Sequence, residues 1–389
     1  MQRVVDALTT ERHFMTIGVP KETAPGERRV ALVPGALSRL TKEGIEVLVE
    51  AGAGEAAYHA DVAYEEKGAR VVDRAAAFQA DVVAKVQSPS DEELALMQAG
   101  GVLISFLAPL DKPEIAEKLA AQGVTALSME LVPRISRAQK MDALSAMSSL
   151  GGYKAVLMAA EQLPKFFPLL TTAAGTIRPA NALILGAGVA GLQAIATARR
   201  LGARVWGYDI RDVVREEVQS LGAQFVELEL EMEGMQDEGG YAKALMAEKA
   251  RRQTDLLVPH IGNADVVITT ALIPGRTAPT LITQEAVEAM KPGSVIIDMA
   301  APNGGNCVLT TPGETTVHKG VQIVGPLNLP ATMPVHASQL YARTITAMIQ
   351  EFAGDEGFST DFEDEIFKGA CIAYGGEVVH ERVKGLLAA

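Results

Sequence analysis

The stretch Gly186-Ala-Gly188-Val-Ala-Gly191 decides the fold of the second half of this chain. It follows the apolar run 182–185, which is typical of a buried parallel strand, and it opens segment 192–201, which has the pattern of a helix. Asp209 ends the next predicted strand, 204–208. A strand, a glycine turn, a helix, a second strand and an acid in this order predict a dinucleotide-binding βαβ unit.

The glycines have separate predicted roles. Gly186 makes the tight turn, Gly188 lets the backbone approach a pyrophosphate, and Gly191 lets the helix pack closely on the strand. Val189 and Ala190 lie between these glycines and belong to the predicted cofactor-binding set. The free N–H groups and positive dipole end of the helix that follows favour phosphate. The alternative is a glycine-rich turn with a purely structural role, which the complete βαβ context disfavours.

The acidic end of the second strand predicts which nucleotide binds. Asp209 can accept hydrogen bonds from a ribose 2′-hydroxyl and would repel a 2′-phosphate, so we expect NAD(H) rather than NADP(H). Ile210 and Arg211 follow it and belong to the same predicted cofactor-binding set.

The composition of the 389 residues excludes several classes of protein. The net charge of −13 argues against nucleic acid and anionic membrane surfaces as direct partners. No apolar run reaches the roughly 18 residues needed to span a bilayer. The two cysteines form no paired motif, so we expect a cytoplasmic protein with reduced thiols. We predict no metal site.

Strands and helices alternate along most of the chain, which predicts an α/β fold with two parallel-sheet βα domains. Residues 145–334 form the predicted NAD(H)-binding Rossmann domain. Residues 15–144 form a Rossmann-like N-terminal domain, and we expect 335–389 to complete it. That last segment shows a helical pattern and no strand series of its own.

A polar segment lies between the two predicted sheets, where a cleft between domains would form. Gln139 could hold a nicotinamide amide, with Arg134 and Asp142 holding each other in place and Ser136 nearby. Asp142 and Ser145 are three residues apart, so they are predicted to share a helix face. A capped, salt-bridged helix start explains the same residues equally well.

A second unusual segment, 227–240, is rich in Glu and ends in Gly239-Gly240 before Tyr241. A mobile lid closing over the cofactor is one interpretation. A solvated loop without a function is the other.

These residues together resemble the alanine dehydrogenase and transhydrogenase family. Within it the chain is most similar to the NAD(H)-binding domain I of proton-translocating NAD(P) transhydrogenase. The matching blocks are 18–22 with 27–31, 133–142, 188–198, 239–243, 268–275 and 291–298. In the transhydrogenase branch the block 133–142 is similar to a loop that holds the nicotinamide through Arg, Gln and Asp.

Two departures separate the chain from alanine dehydrogenase. That enzyme needs a proton-transfer group beside its substrate. Ala108 stands where its motif has a histidine, and Pro302 stands where it has an aspartate. Arg29 and Lys85 match positions that would grip a substrate carboxylate. We expect them to be structural ion-pair members, because an unpaired Lys85 inside an apolar strand would be costly.

The resemblance implies an enzyme component that passes hydride from NADH to NADP+ held by a partner subunit. It implies positioning roles for Arg134, Gln139, Asp142 and Ser145, with Tyr241 and Gly240 closing the site. It also places Gln253 and Leu272 at the cofactor.

For the assembly, the resemblance implies a homodimer on separate membrane-embedded proton-channel subunits, at the cytoplasmic face of the cell membrane. Two alternatives remain open. One is an alanine-dehydrogenase-like NAD-dependent amino-acid oxidoreductase, and the other is a non-catalytic NAD-sensing module.

Overall fold

The computed structural model describes residues 15–228, 240–354 and 357–388, apart from the side chains of 240–247 and 249. The chain divides into two compact units. Unit 1 consists of Met1–Leu144 and Pro334–Ala389, and unit 2 consists of Ser145–Met333.

Both units are built from short strands and covering helices. The strands in chain order are β1 Thr16–Val19, β2 Glu46–Glu50, β3 Arg70–Val72, β4 Val82–Ala84, β5 Val102–Ser105, β6 Thr125–Ser128, β7 Leu170–Thr172, β8 Gly175–Ile177, β9 Asn181–Leu185, β10 Arg204–Tyr208, β11 Gln224–Phe225, β12 Val266–Thr269, β13 Val295–Asp298, β14 Thr315–His318, β15 Val321–Val324, β16 Ala353–Gly354, β17 Gly357–Phe358, β18 Cys371–Tyr374 and β19 Glu377–Val378. The α-helices are α1 Pro34–Lys42, α2 Asp61–Glu65, α3 Arg74–Phe78, α4 Asp91–Leu96, α5 Glu114–Ala121, α6 Ala143–Gln162, α7 Val189–Arg200, α8 Arg215–Ser220, α9 Gly240–Asn263, α10 Gln284–Ala289, α11 Pro334–Phe352, α12 Glu365–Ala370 and α13 Glu381–Leu387.

The sheet of unit 1 has the strand order β19-β18-β6-β5-β4-β1-β2-β3. Strands β1 to β6 are parallel, in the 3-2-1-4-5-6 order of a doubly wound fold. The C-terminal segment adds β18 antiparallel to β6, and β19 antiparallel to β18. It therefore completes this sheet, as predicted. The expectation that it has no strands of its own was wrong.

The sheet of unit 2 has the order β11-β10-β9-β12-β13-β15-β14. Its six parallel strands repeat the 3-2-1-4-5-6 order, and β14 pairs antiparallel with β15 as an added edge. The strand order reverses between β9 and β12, which is where ligands bind in open α/β sheets. The predicted α/β class is confirmed.

The core of unit 2 follows from the two-residue period of its central strand. Ala182 and Ile184 of β9 face one buried apolar cluster, whereas Leu183 and Leu185 face another on the opposite side of the sheet. Because both faces are covered, the strand is apolar from Ala182 to Leu185 instead of alternating with polar residues.

Candidate functional site

The glycine turn begins at Gly186, at the carboxyl end of β9, where the strand order reverses. Its φ of +100° favours glycine, and a Cβ there would lie 2.5 Å from Oγ1 of Thr270. The Thr270 hydroxyl donates to the Gly186 carbonyl at 3.0 Å, and the Gly186 N–H donates to the Tyr208 carbonyl at 2.8 Å. The turn is therefore held from both neighbouring strands.

The next two glycines set the space around the start of α7. A Cβ on Gly191 would lie 1.8 Å from the Gly186 carbonyl oxygen, so only glycine permits this packing. A Cβ on Gly188 would meet nothing within 4 Å. The first helical hydrogen bond runs from the Leu192 N–H to the Gly188 carbonyl, so the N–H groups of Val189 and Ala190 lie outside the helical ladder. This open, N–H-rich helix start suits a pyrophosphate.

A third close contact involves α6, and the sequence analysis did not anticipate it. A Cβ on Gly152 would lie 2.1 Å from the carbonyl oxygen of Ala190. The pair Gly151-Gly152 is the local signal for this approach, because small residues on a helix allow another backbone to come close. Helix α6 thus supports the first turn of α7 from the side.

Asp209 follows β10, and its carboxylate already accepts hydrogen bonds from within the chain. Its carboxylate accepts from the Ala187 N–H at 2.8 Å and from the Arg211 N–H at 2.9 Å. The Arg211 guanidinium forks onto it, with Nε at 2.9 Å and Nη2 at 3.0 Å. Burial alone would raise the pKa of Asp209, but the bonds from Arg211 and the backbone lower it overall. The acid is therefore ionised at neutral pH, beside an exposed Ile210.

These features fit the dinucleotide predicted from the sequence. The open backbone at Gly188 can receive a pyrophosphate, and the Asp209 carboxylate can accept from ribose hydroxyls. The direct contact of each predicted residue with NAD(H) remains a prediction.

The loop after β12 carries Leu272, whose side chain is 48% exposed. The buried Asn306 amide shapes this loop: it donates to the carbonyls of Ala271 and Pro279 and accepts from the Ala271 N–H. Asn306 was missed in the sequence because its partners lie 27 and 35 residues away. Asn306 therefore holds the loop that carries Leu272, a predicted cofactor contact.

Helix α9 contains three more predicted site positions, which are Gly240, Tyr241 and Gln253. Gly240 and Tyr241 form its first turn, and Gln253 is a half-buried residue further along it. The side chain of Tyr241 and the segment 229–239, which includes most of the predicted lid, lie outside the described residues.

In unit 1, Ser136–Met141 forms a 3₁₀ helix. Side chains three residues apart eclipse each other in a 3₁₀ helix, so the turn has three faces. The exposed face carries Ser136 and Gln139. The ion-paired face carries Arg137 and Lys140. The buried face carries Ala138 and Met141.

The expectation that Asp142 and Ser145 share a helix face needs correction. Asp142 ends the 3₁₀ helix and precedes α6, so it is not a helical residue, whereas Ser145 lies in the first turn of α6. The α-helix begins only at Ala143, after the 3₁₀ helix Ser136–Met141 has ended. Arg134 is exposed in the loop before the turn.

The two basic residues expected to be ion-pair members are both buried and paired, as predicted. Arg29 forks onto Glu27 at 2.6 and 2.8 Å. Lys85, 1% exposed, lies 3.2 Å from Glu22 and 3.4 Å from Glu93. Burial alone would raise the pKa of Glu27, but its bonds to Arg29 lower it to about 2. Burial raises the pKa of Glu22 despite the nearby Lys85.

Ala108 has a left-handed backbone, with φ +48°. The N–H groups of Leu107 and Ala108 donate to the Glu130 carboxylate at 3.1 and 2.8 Å, and the Ser128 hydroxyl donates to it at 2.6 Å. Burial raises the pKa of Glu130. The backbone turn is thus well anchored, while its side chain is a methyl group that can transfer no proton.

Metal-binding and membrane-spanning features are absent from the described residues 15–228, 240–354 and 357–388. Among them, no group of three or more His, Cys, Asp or Glu side chains is arranged to hold a metal ion. In the same ranges, no helix is both long and apolar enough to cross a membrane.

Comparison with protein families gives two matches that together span most of the chain. Residues 18–151 match the model described as alanine dehydrogenase/PNT, N-terminal domain, and residues 155–381 match the corresponding C-terminal domain. The chain belongs to the alanine dehydrogenase/transhydrogenase family.

Individual members of the family show a graded similarity. The chain is 44% identical over 382 residues to an NAD(P) transhydrogenase alpha-subunit chain of Rhodospirillum rubrum, covering 95% of this chain and 99% of that one. Identity to the alanine dehydrogenase of Bacillus subtilis is 35% over 332 residues, covering 82% and 81%. A transhydrogenase structure from Sinorhizobium meliloti matches with a TM-score of 0.85 and 41% identity, covering 94% of this chain and 100% of that one. These matches confirm the resemblance inferred from the sequence blocks.

The first prediction concerns nucleotide preference. Asp209→Asn keeps the shape of the side chain but removes the charge that holds Arg211, so the guanidinium is released toward a 2′-phosphate. We expect NADH to bind about tenfold more weakly and NADPH about tenfold more tightly, a combined shift of roughly 3 kcal/mol. Titration of both nucleotides measures it. Asp212→Asn, an exposed acid paired with Arg215, is the control, and an unchanged preference in Asp209→Asn contradicts the assignment.

The second prediction concerns Lys85. In Lys85→Met, Glu22 and Glu93 lose a buried cation, so the free energy of unfolding should fall by about 3–5 kcal/mol in urea titrations. Lys112→Met, at an exposed lysine of unit 1, should change it by less than about 0.5 kcal/mol. A stable Lys85→Met protein would show that this lysine is not a structural ion-pair member.

Proposed function

We propose that this chain is the NAD(H)-binding hydride donor of a proton-translocating NAD(P) transhydrogenase. It binds NADH at the glycine turn of unit 2 and passes hydride to NADP+ on a partner subunit. The similarity to transhydrogenase alpha subunits supports this assignment. Bound NADH supplies the hydride, and the protein supplies position and a dry environment.

The observation that carries the proposal is the ion pairing of Arg29 and Lys85 within the chain. Both cations are paired with carboxylates of the chain itself, so neither is free to receive a substrate carboxylate. The residue at position 108 is alanine, which cannot transfer a proton. Oxidation of an amino acid requires a cation that is free to bind the substrate carboxylate and a group that transfers a proton. Hydride transfer between two nicotinamides requires neither.

The exposed face of the 3₁₀ helix is the proposed nicotinamide-holding element. Gln139 and Ser136 offer an amide and a hydroxyl from a backbone that Ala138 anchors in the core. In this proposal Arg134, Asp142 and Ser145 position that element. Their job is orientation, and an error of about 1 Å in such an element can slow a reaction by about a hundredfold.

In the proposed assembly, an NADP(H)-binding subunit and membrane-embedded proton-channel subunits are separate partners. The chain is then cytoplasmic and peripheral to the cell membrane through those partners. Only one dinucleotide fingerprint occurs in the sequence, which agrees with a second nucleotide held elsewhere.

Reconstitution tests the function directly. Purified chain mixed with an NADP(H)-binding transhydrogenase subunit should transfer hydride between NADPH and an NAD analogue whose reduced form absorbs at a separate wavelength. The chain alone, given NAD+ and alanine, should form no NADH, because Ala108 and the paired Lys85 leave no machinery for it. Alanine-dependent NADH formation would establish the dehydrogenase alternative. NADH binding without transfer in any reconstitution would establish a sensing module.

The homodimer is proposed on a physical argument about the hairpin β7–β8. Residues 171–178 are all exposed, and apolar side chains flank the hairpin, with Phe166 53%, Leu169 60% and Ile177 46% exposed. A two-stranded hairpin is marginally stable in water by itself. A second copy of the chain is the proposed cover, because a closed two-fold contact buries the same patch on both subunits.

Charge on this hairpin should therefore break the dimer. We expect Leu169→Glu with Ile177→Glu to halve the mass measured by light scattering, because each contact would bury four unpaired carboxylates. Val62→Glu, at an exposed apolar position of unit 1, is the control. A wild-type monomer, or a double variant of unchanged mass, contradicts the hairpin as the dimer contact.

A further inference from the structure

The ion-paired face of the 3₁₀ helix has no role in the proposed function. Lys140 Nζ lies 2.7 Å from Glu351 Oε2, and Arg137 Nη1 lies 3.2 Å from Glu351 Oε1. The second nitrogen of the Arg137 fork lies 2.6 Å from Asp364 Oδ2. All of these residues belong to unit 1, and both acids come from the C-terminal segment. Two acids thus hold two consecutive turns of one short helix.

The two acids are themselves rigidly placed. Glu351 and Asp364 are only 17% and 18% exposed at their side chains. Glu351 precedes Phe352, whose ring packs against that of Phe367 at 5.6 Å between centroids. Asp364 caps α12, because its Oδ1 accepts from the backbone N–H groups of Ile366 and Phe367. Oδ1 of Asp364 therefore caps the helix, while Oδ2 accepts from Arg137.

The loop that leads into the 3₁₀ helix is held by the same segment. A Cβ on Gly369 of α12 would lie 3.2 Å from Cδ of Pro133, so α12 packs closely on the start of this loop. The C-terminal segment, more than 200 positions later in the chain, therefore fixes both the loop and the 3₁₀ helix. Because the faces of a 3₁₀ helix are rigidly related, holding the ion-paired face fixes the direction of the exposed face.

We propose that Glu351 and Asp364 are positioning residues for hydride transfer, holding Arg137 and Lys140 so that Gln139 and Ser136 are presented in a fixed orientation. The proposal rests on the function proposed above for Gln139. The cations of these pairs, Arg137 and Lys140, are 48% and 55% exposed at their side chains, and pairs with an exposed partner contribute little to stability. Their effect is therefore expected in the rate of transfer, and only weakly in folding.

The test uses the full chain reconstituted with the NADP(H)-binding subunit. The variant Glu351→Gln with Asp364→Asn removes both charges but keeps a good helix cap at 364. We expect hydride transfer to slow about tenfold, with the Kd for NADH within about twofold of wild type. Amide exchange at residues 137–142 should become faster. Asp91→Asn, which removes another exposed ion pair of unit 1, with Lys118 at 2.6 Å, should change none of these.

A Gln139→Ala background separates this proposal from the proposed function. Gln139→Ala alone should slow transfer strongly, and a normal rate would refute the role of Gln139 itself. In that background the two charge substitutions should slow transfer less than about twofold further, since the group they orient is gone. A full tenfold loss there, or a wild-type rate for the charge variant in the otherwise wild-type chain, would overturn the positioning role.

Discussion

The contact between Gly191 and the Gly186 carbonyl is the constraint on which unit 2 depends. With a Cβ only 1.8 Å from that oxygen, no other residue lets α7 lie this close to the end of β9. The position of α7 then sets the open backbone at Gly188 and the contact of Ala190 with Gly152 of α6. The glycine turn, the start of α7 and the packing of α6 against it thus share one steric requirement.

Local patterns in the sequence predicted most of the parallel strands, because strands buried on both faces read as continuous apolar runs. The antiparallel strands β14, β18 and β19 were missed, since their pairing depends on tertiary context that no local pattern carries. In the site, the glycines and Asp209 were predictable from spacing. Asn306 and Glu130 were not, because only the fold brings them to the loops whose backbone they hold.

The chain is similar to proteins named NAD(P) transhydrogenase and alanine dehydrogenase, and it matches both along most of its length. The backbone at Ala108 has a left-handed turn that Glu130 anchors, although its side chain can transfer no proton. Arg29 and Lys85 also remain, tied to carboxylates within the chain. In the proposed function the scaffold keeps its architecture, while chemistry moves to the nucleotide-binding unit and the 3₁₀ helix.

Glu22 and Glu27 compete, as parts of the chain, with any free carboxylate for Lys85 and Arg29. A carboxylate fixed within the chain has an effective concentration of millimolar or more, without the loss of translational freedom that a free acid suffers on binding. A free carboxylic acid would have to displace Glu27 to bind Arg29, or Glu22 to bind Lys85. In the proposed function, free amino and keto acids are thereby kept from Arg29 and Lys85.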